Sequence, residues 1–314
     1  MFTGNVSKEV LARSVIAVPP LARSADESLS VEENRRLVAY LESGGIRNIL
    51  YGGNAILYHV RISEYAALLE MLAELAGADT WMIPSVGPAY GVMMDQAEAL
   101  RDFPFPTAMV LPQRDVATSA GVATAIRRFC DRIGRPAIAY LKFQEYLDVA
   151  DVRRLVADGC VAAIKYAVVR DDPHDDPYLA ELLQHVPAEM VVSGIGEQPA
   201  VAHMTRFGLV GFTSGCVCVA PRLSMRMLRA LREGDVAEAE RIRATFRALE
   251  DLRNAISPVR VLHRAVSLAG IAETGPIIPL LSELTAEQEG RVREAAAALL
   301  EEEHGQEKAP RGEH

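Results

Sequence analysis

Eight short apolar runs, each followed by a longer amphipathic stretch, recur along the first three quarters of the chain, and this alternation constrains its fold most. The runs are Ser14–Val18, Asn48–Tyr51, Thr80–Ile83, Thr107–Leu111, Ala137–Tyr140, Val161–Lys165, Met190–Ser193 and Val210–Ser214. Between them apolar residues fall at helical spacing, as in Val38-Leu41 and Ala67-Leu68-Met71-Leu72-Leu75. Strands that are apolar throughout must be buried on both faces, which a parallel sheet wrapped in helices achieves. The predicted fold class is therefore α/β, a (β/α)8 TIM barrel spanning residues 1–233. Ser30-Val31-Glu32-Glu33 and Thr285-Ala286-Glu287-Gln288 fit capping boxes at helix starts. Three helical patterns, Asp235–Asn254, Pro258–Leu268 and Ala286–Glu302, exceed what a barrel requires. They predict an appended C-terminal helical layer over residues 234–303, packed on the barrel or on a partner subunit. The polar tail, residues 304–314, is expected to be disordered.

Half of the 314 residues are apolar and about a quarter are charged, so a large core is feasible. A net charge of −9 argues against a nucleic-acid or anionic-membrane partner. No apolar run approaches the roughly 18 residues of a membrane span. The first residues lack a basic start followed by an apolar segment, so no secretory signal is expected. Cys130, Cys160, Cys216 and Cys218 are scattered and read as reduced core residues of a cytoplasmic protein. A strand would place Cys216 and Cys218 on one face, but no histidine lies near them in sequence. The seven histidines form no H-x-x-x-H pair. The acidic stretch Asp171–Asp176 lacks the glycine-centred spacing of a calcium loop and reads as a solvated loop entering a helix. No metal is predicted.

In such barrels the chemistry sits at the C-terminal ends of the strands. Lys165 closes the run Cys160-Val161-Ala162-Ala163-Ile164-Lys165, and Tyr140 closes Pro136-Ala137-Ile138-Ala139-Tyr140. If adjacent strands carry the two runs, an amine and a phenol meet at the barrel mouth. Desolvation disfavours the charged amine, the neutral amine attacks ketones, and a phenol can shuttle the protons of imine formation. A lysine that merely snorkels to solvent is the plainer alternative. Gly52-Gly53-Asn54 exposes backbone N–H groups that suit a carboxylate, or else forms a simple turn. Gly194 and Gly196 leave space for a planar imine, and Thr213 and Ser214 offer hydroxyls.

The order and spacing of these segments resemble the dihydrodipicolinate synthase and N-acetylneuraminate lyase superfamily of Schiff-base enzymes. The resemblance runs from Val15-Ile16-Ala17-Val18-Pro19-Pro20 through Ile138-Ala139-Tyr140, Ala163-Ile164-Lys165, Val192-Ser193-Gly194 and Val210–Pro221 to Gly275-Pro276-Ile277-Ile278-Pro279-Leu280. It implies Lys165 as the imine-forming lysine and Tyr140 as the proton relay. Gly53 and Asn54 stand where members carry a carboxylate clamp, and Gly194 and Thr213 where members line the pocket. It also implies a homo-oligomer, dimer or tetramer, and no dissociable cofactor.

Several departures qualify it. The usual G-T-T-G-E reads Gly52-Gly53-Asn54-Ala55-Ile56, without either clamp hydroxyl or the acid. Arg114 replaces a second tyrosine that crosses a subunit interface in many members. The segment after Tyr140 lacks the Asn-x-Pro pattern and the arginine that binds the second substrate of dihydrodipicolinate synthase, which argues against that activity. Lys165-Tyr166-Ala167 and Phe212-Thr213-Ser214 look more like the 5-dehydro-4-deoxyglucarate dehydratase branch. The expectation is a class I lyase acting on a 2-oxo acid, a 2-keto-3-deoxy sugar acid, by dehydration or retro-aldol cleavage. Catalysis would rest on Lys165 and Tyr140, with Gly53, Asn54, Gly194, Thr213 and Arg114 binding substrate. The rival expectation is a barrel of this descent that binds a keto or sugar acid without turnover.

Overall fold

In a computed structural model, which describes residues 1–305, every expected apolar run contributes to one parallel sheet. Residues 306–314, which hold most of the expected disordered tail, lie outside the described residues; His304 and Gly305 belong to a helix. The strands are β1 (Ile16–Ala17), β2 (Asn48–Leu50), β3 (Trp81–Ile83), β4 (Ser85–Val86), β5 (Met109–Val110), β6 (Ala137–Leu141), β7 (Val161–Tyr166), β8 (Val191–Ser193) and β9 (Gly211–Ser214).

Nine segments make eight staves. β3 and β4 are one continuous stretch interrupted at Pro84, which has no N–H to give the ladder. Its carbonyl still accepts from Met109 N at 2.9 Å. β3 pairs with β2 while β4 pairs with β5, so the order β3-β2-β1-β9-β8-β7-β6-β5-β4 begins and ends on the same piece of chain. The sheet is closed, with every pairing parallel. It is the expected (β/α)8 barrel.

The helices are α1 (Lys8–Ala12), α2 (Val31–Ser43), α3 (Ile62–Leu75), α4 (Tyr90–Arg101), α5 (Ser119–Ile133), α6 (Val149–Ala157), α7 (Pro177–Leu182), α8 (Glu197–Thr205), α9 (Pro221–Glu233), α10 (Val236–Ala255), α11 (Pro258–Leu268) and α12 (Ala286–Gly305). Their ends follow local chemistry. Proline opens α7, α9 and α11, where a missing N–H costs nothing. Gly134 and Gly234 end α5 and α9 in the left-handed conformation. The Thr285 box is reciprocal: Gln288 N donates to Thr285 Oγ1 at 3.2 Å, and Thr285 N to Gln288 Oε1 at 3.1 Å. The Ser30 box is only half made. Ser30 Oγ accepts from Glu33 N, but the Glu33 carboxylate turns to Glu273 N at 2.7 Å and to Arg36. A tertiary partner outcompetes the local one.

The C-terminal helices pack on the barrel's own helices, α10 against α8 and α9, and α12 against α9, α10 and α11. Two fully buried carboxylates join the layers. Glu250 of α10 accepts from Glu197 N and Gln198 N, and Glu303 of α12 accepts from Arg222 N and Leu223 N. Each satisfies orphan donors at the start of a barrel helix, α8 and α9 respectively. No described helix is long and apolar enough to cross a membrane.

Candidate active site

β6 and β7 are adjacent staves, and their register places Tyr140 opposite Lys165. In a parallel pair, residues in register project to the same side of the sheet, so the two side chains meet. Lys165 is only 5% exposed, and its Nζ stands 4.3 Å from the centroid of the Tyr140 ring. The recorded contact is amine on ring face rather than amine to hydroxyl. A ring face favours the ammonium form, yet burial outweighs it. The Lys165 pKa is lowered from 10.5 to about 7, first by desolvation, then by Lys142 and Arg253. Burial pushes the Tyr140 phenol up to about 12, with Arg253 opposing, so at neutral pH it remains a proton donor.

Gly194 leaves β8 against this pair. A Cβ there would lie 2.7 Å from the Tyr166 carbonyl oxygen, 2.8 Å from Ala167 Cβ and 3.0 Å from Lys165 Cγ. Two of those atoms belong to rigid strand ends, so only glycine lets the chain pass the lysine stem. Gly194→Ala is expected to destabilise the fold by about 1–3 kcal/mol through overpacking. It should also displace the Lys165 stem and change the acylation of its amine by acetic anhydride about ten-fold, since small misplacements of reacting groups are costly. Thermal melting and acylation yield measure the two effects.

Thr213 lies on β9, almost fully buried; its carbonyl accepts from Gly196 N at 3.1 Å, and no protein partner of its hydroxyl is found among the described residues. Across the barrel, after β2, a Cβ on Gly52 would meet Met109 Cε at 2.8 Å and Ser85 Oγ at 3.2 Å, which the methionine end would have to yield to, whereas Gly53 meets only ordinary contact with Tyr58. Among the described residues, no acceptor engages the N–H groups of Gly52, Gly53, Asn54 or Ala55. Such a row of free donors can hold an anion. The Asn54 side chain is partly committed, its Nδ2 donating to the Val18 carbonyl at 2.9 Å.

A cavity of about 780 Å³ opens at the ends of β5, β6 and β7, lined by Tyr58, Gln113, Arg114, Lys142, Phe143 and Arg170 among others. Lys142 and Ala167, on its wall, follow Tyr140 and Lys165 by two residues. Arg114 lies over the Phe143 ring, 4.8 Å from its centroid. The Lys142 amine is shifted down by desolvation and by Arg114. Neither cation has an ion-pair partner among the described residues, whereas Arg170 is paired with Asp176 at 3.1 Å. A larger hollow of about 870 Å³ lies between α4 and α5; neither cavity has Lys165 or Tyr140 on its wall, and of the two only the one at the barrel mouth carries their near neighbours Lys142 and Ala167.

Cys216–Cys218 form a 3-10 turn after β9, and both thiols are buried, as core residues should be, and shifted up by burial. One sequence reading needs correction. Asp176 is not solvated: it caps α7 through Leu179 N and is buried against Tyr166 Oη, 2.5 Å away. Among the described residues no three His, Cys, Asp or Glu side chains gather as a ligand set.

The sequence reading missed Arg253, Glu250 and the inward role of Glu197. Glu197 is fully buried, accepting from Ser214 Oγ at 2.8 Å and Ser224 Oγ at 2.7 Å. Arg253 touches the Ile195 carbonyl from α10. One signal was available. Glu250 and Arg253 fall on the stripe of Ile242, Phe246 and Leu249 that α10 buries, where charged residues need a reason to be.

The chain matches the family model described as the dihydrodipicolinate synthetase family over residues 129–299. It is 23% identical over 292 residues to a probable 5-dehydro-4-deoxyglucarate dehydratase of Xanthobacter autotrophicus, covering 90% of this chain and 94% of that one. A protein of the same name from a Chelativorans species is 24% identical over 293 residues, with the same coverage. Among solved structures, a dihydrodipicolinate synthase from Agrobacterium tumefaciens superposes with a TM-score of 0.82 at 18% identity, covering 93% of this chain and 99% of that one. A prophage protein of the dihydrodipicolinic acid synthase family from E. coli, in complex with pyruvate, gives 0.79 at 18% identity, covering 91% and 98%.

Proposed function

The chain belongs to the dihydrodipicolinate synthetase family, and from that premise we propose that it is a lyase acting on a 2-oxo acid through a Schiff base on Lys165. The observation that carries the proposal is the buried amine itself, in register with Tyr140 and lowered to about 7. About half of such an amine is neutral at neutral pH, and only the neutral form has a lone pair for a carbonyl.

In the proposed sequence the amine adds to the C2 ketone, and the carbinolamine loses water to give an iminium. The iminium acidifies C3. Loss of a C3 proton gives an enamine, whose electron pair expels a hydroxide from C4 as water once protonated. In the retro-aldol alternative the C4 hydroxyl loses its proton, the C3–C4 bond breaks, and its electrons reside in the enamine until C3 is protonated. Water then releases the product from Lys165. Tyr140 is the proposed carrier of these protons. The N–H groups of Gly53 and Asn54 are proposed to hold the C1 carboxylate, Gly194 to leave space beside the imine, and Thr213 to bind a substrate hydroxyl. Arg114, with Lys142, is proposed to face the distal end of the substrate, where two unpaired cations suit a further acidic or polar group. The curated relatives are named for a sugar acid of this kind. A homo-oligomer, dimer or tetramer, belongs to the same proposal.

The test is borohydride trapping with pyruvate and a panel of 2-keto-3-deoxy sugar acids, read by intact mass and peptide mapping. A reduced adduct on Lys165 is the expected result, and the acid that labels best identifies the substrate class. Folded protein that gives no adduct with any acid would support the non-catalytic binder, which the missing clamp hydroxyls favour. Tyr140→Phe keeps the ring beneath the amine and removes the hydroxyl. It should slow adduct formation about 10²-fold, the usual effect of losing a general acid–base group, while the final extent of labelling is retained.

A further inference from the structure

We propose that Arg253 is a positioning residue of the Lys165 site: α10 holds its guanidinium against the Gly194–Gly196 loop, where its fixed charge opposes a second cation on Lys165. The inference rests on the reading of Lys165 as the nucleophile, and concerns how a segment outside the barrel prepares it.

Both cationic side chains are seated against one three-residue loop. At its start, Gly194 runs against the Lys165 stem so closely that a Cβ would approach Cγ to 3.0 Å. At its end, Arg253 Nη2 donates to the Ile195 carbonyl at 2.5 Å, and a Cβ on Gly196 would come within 3.0 Å of Nη1. Arg253 is only 7% exposed. Its Nε and Nη2 are also bound to Asn254 Oδ1 at 3.2 and 3.1 Å, and Nη1 stands 3.7 Å from Glu250 Oε1. A planar fork locked on three sides cannot swing away from the loop. Glycine at both ends of Gly194-Ile195-Gly196 permits these close approaches.

The charges around the amine are consistent with this role. Tyr140 faces Lys165 from β6, Lys142 from the turn after β6, and Arg253 from α10; no carboxylate contributes to the shift. Asp176, reached from the far side of β7 through Tyr166, is taken up by Arg170. The acids nearest Arg253 are Glu197 of α8 and Glu250 of α10. Both are fully buried, and burial raises both carboxyls, Glu250 to about 8 with the Glu197 charge adding to it. A pair that retains a proton at neutral pH leaves the guanidinium only partly compensated, so its field reaches Lys165 and Tyr140. A buried site transmits such a field far better than water does.

The experiment reads the amine directly and needs no substrate. Trace competitive labelling with acetic anhydride, on the full chain from neutral to alkaline pH, gives the Lys165 titration midpoint by peptide mass spectrometry. Arg253→Gln and Arg253→Met, the latter keeping the aliphatic volume, are expected to raise that midpoint by about one pH unit, with about five-fold lower reactivity at neutral pH. Arg253→Lys keeps the charge and should restore most of the wild-type midpoint. Glu250→Gln leaves the guanidinium in place and should keep the midpoint at or below wild type. Neutral variants with an unmoved midpoint, an Arg253→Lys shift as large as theirs, or a rise in Glu250→Gln would each overturn the assignment. Pyruvate trapping run in parallel separates the two ideas. A shifted midpoint without any wild-type adduct sinks the lyase reading and leaves the role of Arg253 standing; an adduct without a shift does the reverse.

Discussion

Lys165→Ala should eliminate the borohydride-trapped adduct and lower turnover of any 2-oxo acid processed by the wild type on the order of 10⁴-fold or more, the scale of losing a covalent nucleophile. Full retention of turnover would discard the Schiff-base mechanism outright. The pH dependence should have a definite sign. Imine formation needs the neutral amine, so the initial trapping rate should rise with pH through about 7 and fall about ten-fold per unit below it. Stability should respond too. Between about 7 and 10.5 the unfolded chain holds the Lys165 proton and the folded chain does not. The contribution of this lysine to stability is thus fully present above 10.5, declines as pH falls, and reaches its minimum at about 7. Lys165→Met, which buries an uncharged stem of similar length, should melt higher than wild type at neutral pH and lose that part of the pH dependence. A barrel that lowers the pKa of an amine does so at the expense of its own stability, and melting curves across this range would reveal it.

Gly196→Ala should be the most destabilising single-methyl change near the site. Gly196 has φ +103°, a backbone conformation that side chains rarely adopt, and its Cβ would lie 1.9 Å from Glu250 Oε1. That oxygen is fully buried and engaged by Glu197 N at 3.0 Å, so it cannot retreat without uncapping α8. Backbone strain of about 1–3 kcal/mol adds to the cost of leaving a buried hydrogen-bonding group unsatisfied, about 1–3 kcal/mol. The expected total is about 2–6 kcal/mol, read by denaturant unfolding. Because the same loop touches Lys165 and Arg253, the variant should also lose adduct yield. A variant as stable as wild type would show that the loop and α10 can separate freely.

The barrel was legible because each stave is locally explicit: an apolar run of strand length, then a helix with a start signal. The third stave was the exception. Its expected end at Ile83 fell short because Pro84 splits it, and only the pairing of Ser85 with Met109 shows that the strand continues. Tyr140 and Lys165 were legible near strand ends, each strand running one residue further than expected, and their opposition follows once β6 and β7 are neighbours. The half-made box at Ser30 was not, since Glu33 is claimed by Glu273, far away in sequence. Nor was Asp176, whose acidic neighbourhood suggests solvent until Tyr166 and Arg170 are seen around it.

What the sequence by itself determined is the part written in short-range pattern: eight parallel staves, helices between them, and a lysine and a tyrosine near the ends of two strands. Hydrophobic period and strand order suffice for that, because burial of both faces leaves parallel strands little freedom of arrangement. Only the tertiary structure decided the electrostatics of the site. The amine is lowered because the barrel mouth removes it from water and because Lys142 and Arg253 stand near it. Arg253 lies 88 residues further along, on a helix that the barrel pattern does not require. Desolvation and Coulomb interaction depend on distances between residues remote in sequence, and those distances exist only after the chain has folded.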